Sequence, residues 1–189
     1  MARVVLRNVR LSFPDLWKAE EFKAGDGRPR YSAAFLVEPG SDNDKAIRAA
    51  IKSEADAKWG KKADAMLKSI ENNSGKFCYL DGNLKDYDGY EGMFYLAAHR
   101  QENQGPPKVV DKDKSELQAK DGRPYAGCYV NGSVDIYAQT GEFPGMRSSL
   151  IAVQFVADGD AFSSAPATAD DFEDLSSDDE TEDDFGLDK

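Results

Sequence analysis

"RVVLRNVRLSF", residues Arg3–Phe13, is dense in β-branched side chains and places Val5, Val9, Leu11 and Phe13 at odd positions. Apolar residues at a period of two describe a strand with one buried face. Asn8 falls where the alternation falters and marks a bulge. Pro14, which cannot donate to a ladder, is expected to end the strand.

Outward from this stretch the same period recurs around one interruption. "RYSAAFLVE" (Arg30–Glu38) reads as a second strand with Tyr31, Ala33, Phe35 and Val37 on one face, and "DGR" at Asp26–Arg28, preceded by Gly25, supplies the turn before it. The period then changes. In "SDNDKAIRAAIKSEADAKWGKKADAMLKSI", Ile47, Ile51 and Ala55 recur every fourth residue, Ser41 or Asp42 offers a cap, and Gly60 breaks the helix before a shorter one reaching about Ile70. Strands return in "KFCYL" (Lys76–Leu80), "GMFYLAAHR" (Gly92–Arg100), "PKVVD" (Pro107–Asp111), "GCYVNGSVDIYAQ" (Gly127–Gln139) and "SSLIAVQFVAD" (Ser148–Asp158). Many strands and one helical insertion at about 41–71 predict a mainly β fold, a small barrel or sandwich.

The chain has 189 residues, enough for one domain and an appendage. Its net charge of −11 is local in origin. Residues 158–189 carry thirteen acids against Lys189, a net of −12, which leaves +1 for residues 1–157. Whole-chain acidity would argue against a polyanionic partner, but a nearly neutral domain with an acidic tail does not. The two cysteines, Cys78 and Cys128, make no disulfide framework, and with one histidine they fall short of a structural zinc site. No apolar run is long enough for a membrane span and no secretory leader is visible, so a cytosolic protein without a membrane partner is expected.

A search for catalytic chemistry finds little. His99 is the sole histidine, so no Ser-His-Asp or Cys-His arrangement exists without it, and "GDGR" lacks the spacing of a phosphate loop. "YLDGNLKDYDGYEG" holds Asp81, Asp86, Asp88 and Glu91, but not at calcium-loop spacing. No metal or other cofactor is expected.

The stronger signal is aromatic residues interleaved with bases. Trp17, Arg28, Arg30 and Tyr31 lie near the first turn. Lys76, Tyr79, Lys85, Tyr87 and Tyr90 run through the middle, and Arg100, Arg123 and Tyr125 follow. Single-stranded nucleic acid asks for this pairing, because cations track phosphates while flat rings stack on unpaired bases at about 1–3 kcal/mol each. The segment 163–189, with eleven acids from Ala169 onward, buries too little apolar surface to fold and is expected to be disordered. Such a tail mimics a polyanion: it can fill a cationic groove when DNA is absent, and it can dock on basic partners through Asp183, Asp184 and the apolar anchor Phe185.

"FPDLWKA", "YSAAFLV", "KDYDGYEGMFYLAA", "PPKVVD", "DGRPYAGCYVNGSVDIYAQ" and "LIAVQFVADGDAF", in this order, resemble the bacteriophage single-stranded DNA-binding proteins of the OB-fold type over about residues 3–162. Two departures are Ala157, where many relatives carry a base, and a terminal "FGLDK" without a final aromatic. The resemblance implies an OB-like β-barrel over residues 1–162. It implies no catalysis, and a role in coating and protecting strands during phage DNA replication, recombination or repair in the cytoplasm of the bacterial host. The tail would recruit phage replication or recombination proteins, and the oligomeric state is left open, homo-oligomers included. Two other classes stand against this reading: a metal-dependent nuclease using Asp81, Asp86 and Asp88, and an acidic-tailed structural or chaperone-like protein.

Overall fold

The strand expected at Arg3–Phe13 is only the first part of β1, which runs from Ala2 to Glu20 in the computed structural model; residues 1–21 and 26–163 are described. Asn8 takes a left-handed φ of 52°, and the register against the partner strand shifts between Leu6 and Val9. The bulge lies where the sequence indicates, but its effect reverses the expected face. Val4 and Leu6 point inward before it, Val9 and Leu11 after it, and Val5 is exposed. A second irregularity at Phe13 (φ 46°) shifts the register between Ser12 and Asp15. Pro14 sits in that bulge, where no ladder hydrogen bond is asked of it, and so does not end the strand.

The other elements are β2 (Arg30–Val37), α1 (Asp42–Trp59), α2 (Ala63–Ile70), β3 (Tyr79–Asp81), β4 (Phe94–Gln101), β5 (Lys108–Val110), β6 (Tyr129–Gln139) and β7 (Gly145–Ala157). The first half of β1 pairs with β6 and the second half with β2, both antiparallel. β2 continues to β4, β6 pairs with β7, and a parallel contact at His99 and Ser149 joins β4 to β7. The ring β1–β2–β4–β7–β6 is therefore closed, a five-stranded barrel of the OB type. β3 extends the sheet beside β4, and β5 beside β7. Of "KFCYL" only the end is strand.

Leu6, Leu11, Phe35, Leu96, Val134, Ile136, Leu150 and Val153 fill the barrel. Gly132 is needed there, since a Cβ on it would meet the Phe35 ring at 2.6 Å. A second, smaller core lies outside the barrel wall. The loop between β3 and β4 folds back over β2 and β4, and Tyr90 packs with Ala34, Leu36, Leu80 and Tyr95. β2 is thus apolar on both faces: the expected inward set Tyr31, Ala33, Phe35 and Val37 is buried, and so are Ser32, Ala34 and Leu36.

The helical segment covers one end of the barrel. Ser41 caps α1 by accepting from the Asp44 N–H at 3.2 Å, Ile47, Ile51 and Ala55 face inward, and Gly60 stops the helix with a φ of 53°. Buried Asp44 ties the helix to the sheet. It accepts from the Gly40 N–H at 2.8 Å, from Arg48 Nε at 2.8 Å and from the Tyr79 hydroxyl at 2.7 Å. Burial pushes the Asp44 carboxyl up, but these donors together outweigh burial and hold it below the usual carboxylate range. Among the described residues no helix is long and apolar enough to cross a membrane.

A carboxylate with a depressed folded pKa contributes stability above its unfolded pKa, near 3.9, and that stability is lost as pH falls through the folded value. Tyr79→Phe removes a hydrogen bond to a buried charge and is expected to cost about 1.5–3 kcal/mol in urea unfolding at neutral pH. The difference from wild type should shrink once acid has protonated Asp44, and a gap that stays constant down to about pH 2 would contradict this assignment.

Candidate nucleic-acid interface

Residues directly opposite one another across a ladder stand on the same side of a sheet. Asp15 pairs with Ser32, Ser32 with His99, and His99 with Ser149, so one row crosses β1, β2, β4 and β7 on the outer face of the barrel. Ser32 Oγ donates to Asp15 Oδ2 at 3.0 Å. His99 is held neutral: burial pushes its pKa down to about 4, helped by the positive fields of Arg30 and Arg147. Both guanidiniums therefore lie near enough to act on the histidine. Arg30 also reaches Asp26 at 3.2 Å, and the Arg147 guanidinium donates to the Gly75 carbonyl.

Beside this row lies a patch of rings. The bulge at Phe13 turns its side chain out of the barrel, leaving it 48 % exposed, and Tyr87, also 48 % exposed, meets it edge to face at 4.8 Å between centroids. Both rest on Tyr90, whose centroid lies 6.5 Å from Phe13 and 5.3 Å from Tyr87. Tyr90 is 2 % exposed, and its hydroxyl donates to Ser12 Oγ at 3.1 Å. Burial, against the pull of Ser12, raises the phenol to about 12.

The chain after β7 completes the patch as a strap across the barrel wall. The Phe162 N–H donates to the Ala126 carbonyl at 3.0 Å, and Arg10 stands over the Phe162 ring at 4.2 Å while donating to the carbonyls of Asp160 and Gly127. Ser163 donates to Asp88 Oδ2 through both its N–H (3.0 Å) and its hydroxyl (2.8 Å). Gly89 makes room for this packing: at φ +80° it has no Cβ, which would lie 2.6 Å from the Phe162 ring. Phe13, Tyr87 and Phe162 wall a cleft of about 200 Å³ whose polar lining includes Asp15 and Asp88.

The residues read from sequence divide accordingly. Trp17, Arg28, Lys76, Lys85 and Tyr87 are exposed, and Arg30 lies on the outer face. Tyr31, Tyr79 and Tyr90 are core residues instead, since buried rings have no face left for a base. Tyr125 is half-buried against the core, its hydroxyl donating to Asp158 at 2.8 Å. Arg100 is spent on the Gly105 and Gln104 carbonyls. Arg123 pairs with Asp111 at 2.6 Å near Phe155, away from the Phe13–Tyr87 patch. Asp183, Asp184, Phe185 and the segment expected to be disordered lie outside the described residues apart from Ser163. Sequence reasoning missed Phe13, Arg147 and Phe162. The one available signal was that Phe13 borders a proline after an already bulged strand. The 67 % exposed Phe143 in the β6–β7 turn was also missed.

The match to known proteins bears on the same region. The family model described as the single-stranded DNA-binding protein of Enterobacter phage Enc34 matches residues 2–185. The chain belongs to this family. Putative protein p50 of Acyrthosiphon pisum secondary endosymbiont phage 1 is 43 % identical over 184 residues, 95 % of this chain and 97 % of that protein. Among solved structures, the single-stranded DNA-binding protein from bacteriophage Enc34 in complex with ssDNA has 23 % identity and a TM-score of 0.65, covering 85 % of this chain and 89 % of its own. The single-stranded DNA-binding protein gp2.5 of bacteriophage T7 has 13 % identity and a TM-score of 0.54, covering 92 % and 98 %. At these identities the two structures carry the fold. The family is one of binding proteins and not of enzymes. The nuclease alternative also lacks its geometry. Asp81 accepts from the Asn83 N–H, Asp88 is taken by Ser163, and the described residues contain no group of three or more potential metal ligands.

Because the folded His99 refuses a proton that the unfolded chain accepts below about pH 6.5, stability should fall as pH drops from about 6.5 toward 4. The imidazole carbon-bound proton shifts in NMR spectra should stay flat from pH 8 to about 5. A midpoint near 6.5 would show that His99 is not buried beside the arginines.

Proposed function

We propose that the protein binds single-stranded DNA with little regard to sequence. Phosphates follow Arg30, Arg147 and the neighbouring exposed bases Arg28, Lys76 and Lys85. Bases stack on Phe13 and Tyr87, with Trp17 and Phe143 farther along. The observation that carries this reading is the exposed Phe13–Tyr87 pair beside the outer-face row that Arg30 and Arg147 adjoin, on the barrel of a family described by a single-stranded DNA-binding protein. Tyrosine suits the task, since its ring stacks while its hydroxyl stays wet. Coating of strands during phage replication, recombination or repair in the host cytoplasm follows as the biological role.

The acidic tail belongs to the same reading. Tethered beside the groove, its carboxylates reach an effective concentration on the order of millimolar, compete with DNA, and when displaced are free to dock on replication or recombination proteins.

Titration of a labelled single strand at several salt concentrations tests the proposal. Affinity should fall with salt by about 0.7 counterion per phosphate contact, and a flat response would remove it. Phe13→Ala and Tyr87→Ala should each weaken binding by about 1–3 kcal/mol while shifting the thermal midpoint little. An early-melting Tyr87→Ala with unaltered affinity would place that ring in the core. Deleting residues 165–189 should tighten binding at low salt, with the gap closing as salt screens the tail. Equal affinities at low salt would exclude competition by the tail.

A further inference from the structure

The cleft between Phe13, Tyr87 and Phe162 has a composition that phosphate binding does not explain. Its walls are rings, yet its polar lining includes two carboxylates, Asp15 and Asp88. Carboxylates repel phosphate, so the backbone of a bound strand is kept out of this cleft. A flat, uncharged group carrying N–H donors fits it on both counts.

Each carboxylate has one oxygen engaged, and Asp15 is the half-buried acceptor of the two, Asp88 the exposed one. Asp15 Oδ2 takes the Ser32 hydroxyl at 3.0 Å, while Oδ1 has no hydrogen-bond partner among the described residues. Burial pushes this carboxyl up, Ser32 draws it part of the way back, and Glu20 adds to the rise. A partly desolvated carboxylate gains more from a new donor than one in open water does. Asp88 is already saturated on one oxygen by Ser163 and serves to hold the strap, and so Phe162, in place. Asp15 also stands in the row through Ser32 to His99, and Arg30 lies two residues from Ser32 on the same face of β2, so a strand whose phosphates follow Arg30 runs beside the cleft.

We propose that this cleft takes one unstacked nucleobase and that Asp15 selects a base with an exocyclic amino group, such as cytosine, over thymine. The inference rests on the single-stranded DNA-binding reading and refines it at one position. Cytosine presents its N4 amino donors to a carboxylate, whereas thymine presents O4, an acceptor. Stacking at the other rings stays indifferent to the base. On mixed sequence the protein slides by a nucleotide or two to seat a suitable base, so the selectivity is visible only on homopolymers.

The test is fluorescence anisotropy at about pH 8, where the carboxylate is ionised, with three homopolymers of equal length: deoxycytidine, deoxythymidine, and the 2-pyrimidinone deoxynucleoside, which is cytosine without its amino group. The wild-type protein should bind the cytosine strand about tenfold more tightly than the thymine strand. The 2-pyrimidinone strand should fall to the thymine level, and in Asp15→Asn the cytosine-to-thymine ratio should drop to about twofold or less, with a thermal melt confirming the fold. The 2-pyrimidinone comparison uses unaltered protein and decides the matter even if the variant does not fold. Equal affinity for cytosine and thymine, or 2-pyrimidinone binding as tightly as cytosine, overturns the selection by Asp15 and leaves DNA binding standing. Failure to bind any of the three strands overturns the DNA-binding reading itself.

Discussion

The left-handed turn of β1 at Phe13 is the constraint on which the outer face depends. A strand that belongs to two sheets at once has to bend, and a non-glycine residue at φ 46° is a strained way to achieve it. The gain is positional. Up to Arg10 the strand pairs with β6, Leu11 still exchanges backbone hydrogen bonds with Gly127 and Cys128 just before β6, and beyond that the strand pairs with β2. Leu11 and Leu16 still reach the barrel core on either side of the kink, while Phe13 between them is thrown outward. Pro14 is compatible with the kink because β6 has already left that edge. Without this corner the barrel would present a plain wall of alternating side chains, with no ring for Tyr87 to meet.

The second core explains why composition identified the chemistry but not the individual rings. An OB barrel needs only its inner face dry, and the inward residues of β2 were legible from their period of two, whereas β7 changes phase between Leu150 and Val153. The helix cap at Ser41, the break at Gly60 and the bulge at Asn8 were legible too. What the period could not show is that the loop between β3 and β4 would lie down on the outside of β2. "YSAAFLV" is apolar at every position but its serine, a pattern that strands buried on both faces share. Read as one-sided, it left Tyr90 free to be a groove residue. In the fold Tyr90 is the floor on which the exposed pair Phe13 and Tyr87 rests. The same blindness applies to Tyr79: its hydroxyl pairs with Asp44, a helix residue 35 positions earlier, and no local pattern announces such a contact.

Charge placement follows a similar logic. The domain is close to neutral overall, and several of its bases are paired with acids, as in Lys52 with Asp56 and Asp64 or Arg3 with Asp135. Surface pairs of this kind contribute little to stability, but they cancel field. The outer face near Arg30 and Arg147 is distinguished less by the number of its cations than by a histidine that burial and the two guanidiniums hold unprotonated, so that it adds no third positive charge.

The strap ties these features into one unit. Asp158 receives the Tyr125 hydroxyl, Gly127 leaves the space through which residues 160–162 pass, Phe162 fills the position opposite Gly89, and Ser163 ends on Asp88. The segment leading to the acidic tail is therefore a wall of the same cleft that Phe13 and Tyr87 line, and Asp88 adjoins Tyr87 in the chain. Ser163 is joined to the cleft by two hydrogen bonds to the Asp88 carboxylate, and the Phe162 ring beside it stands under Arg10, so the start of the tail and the ring patch are held by the same few contacts.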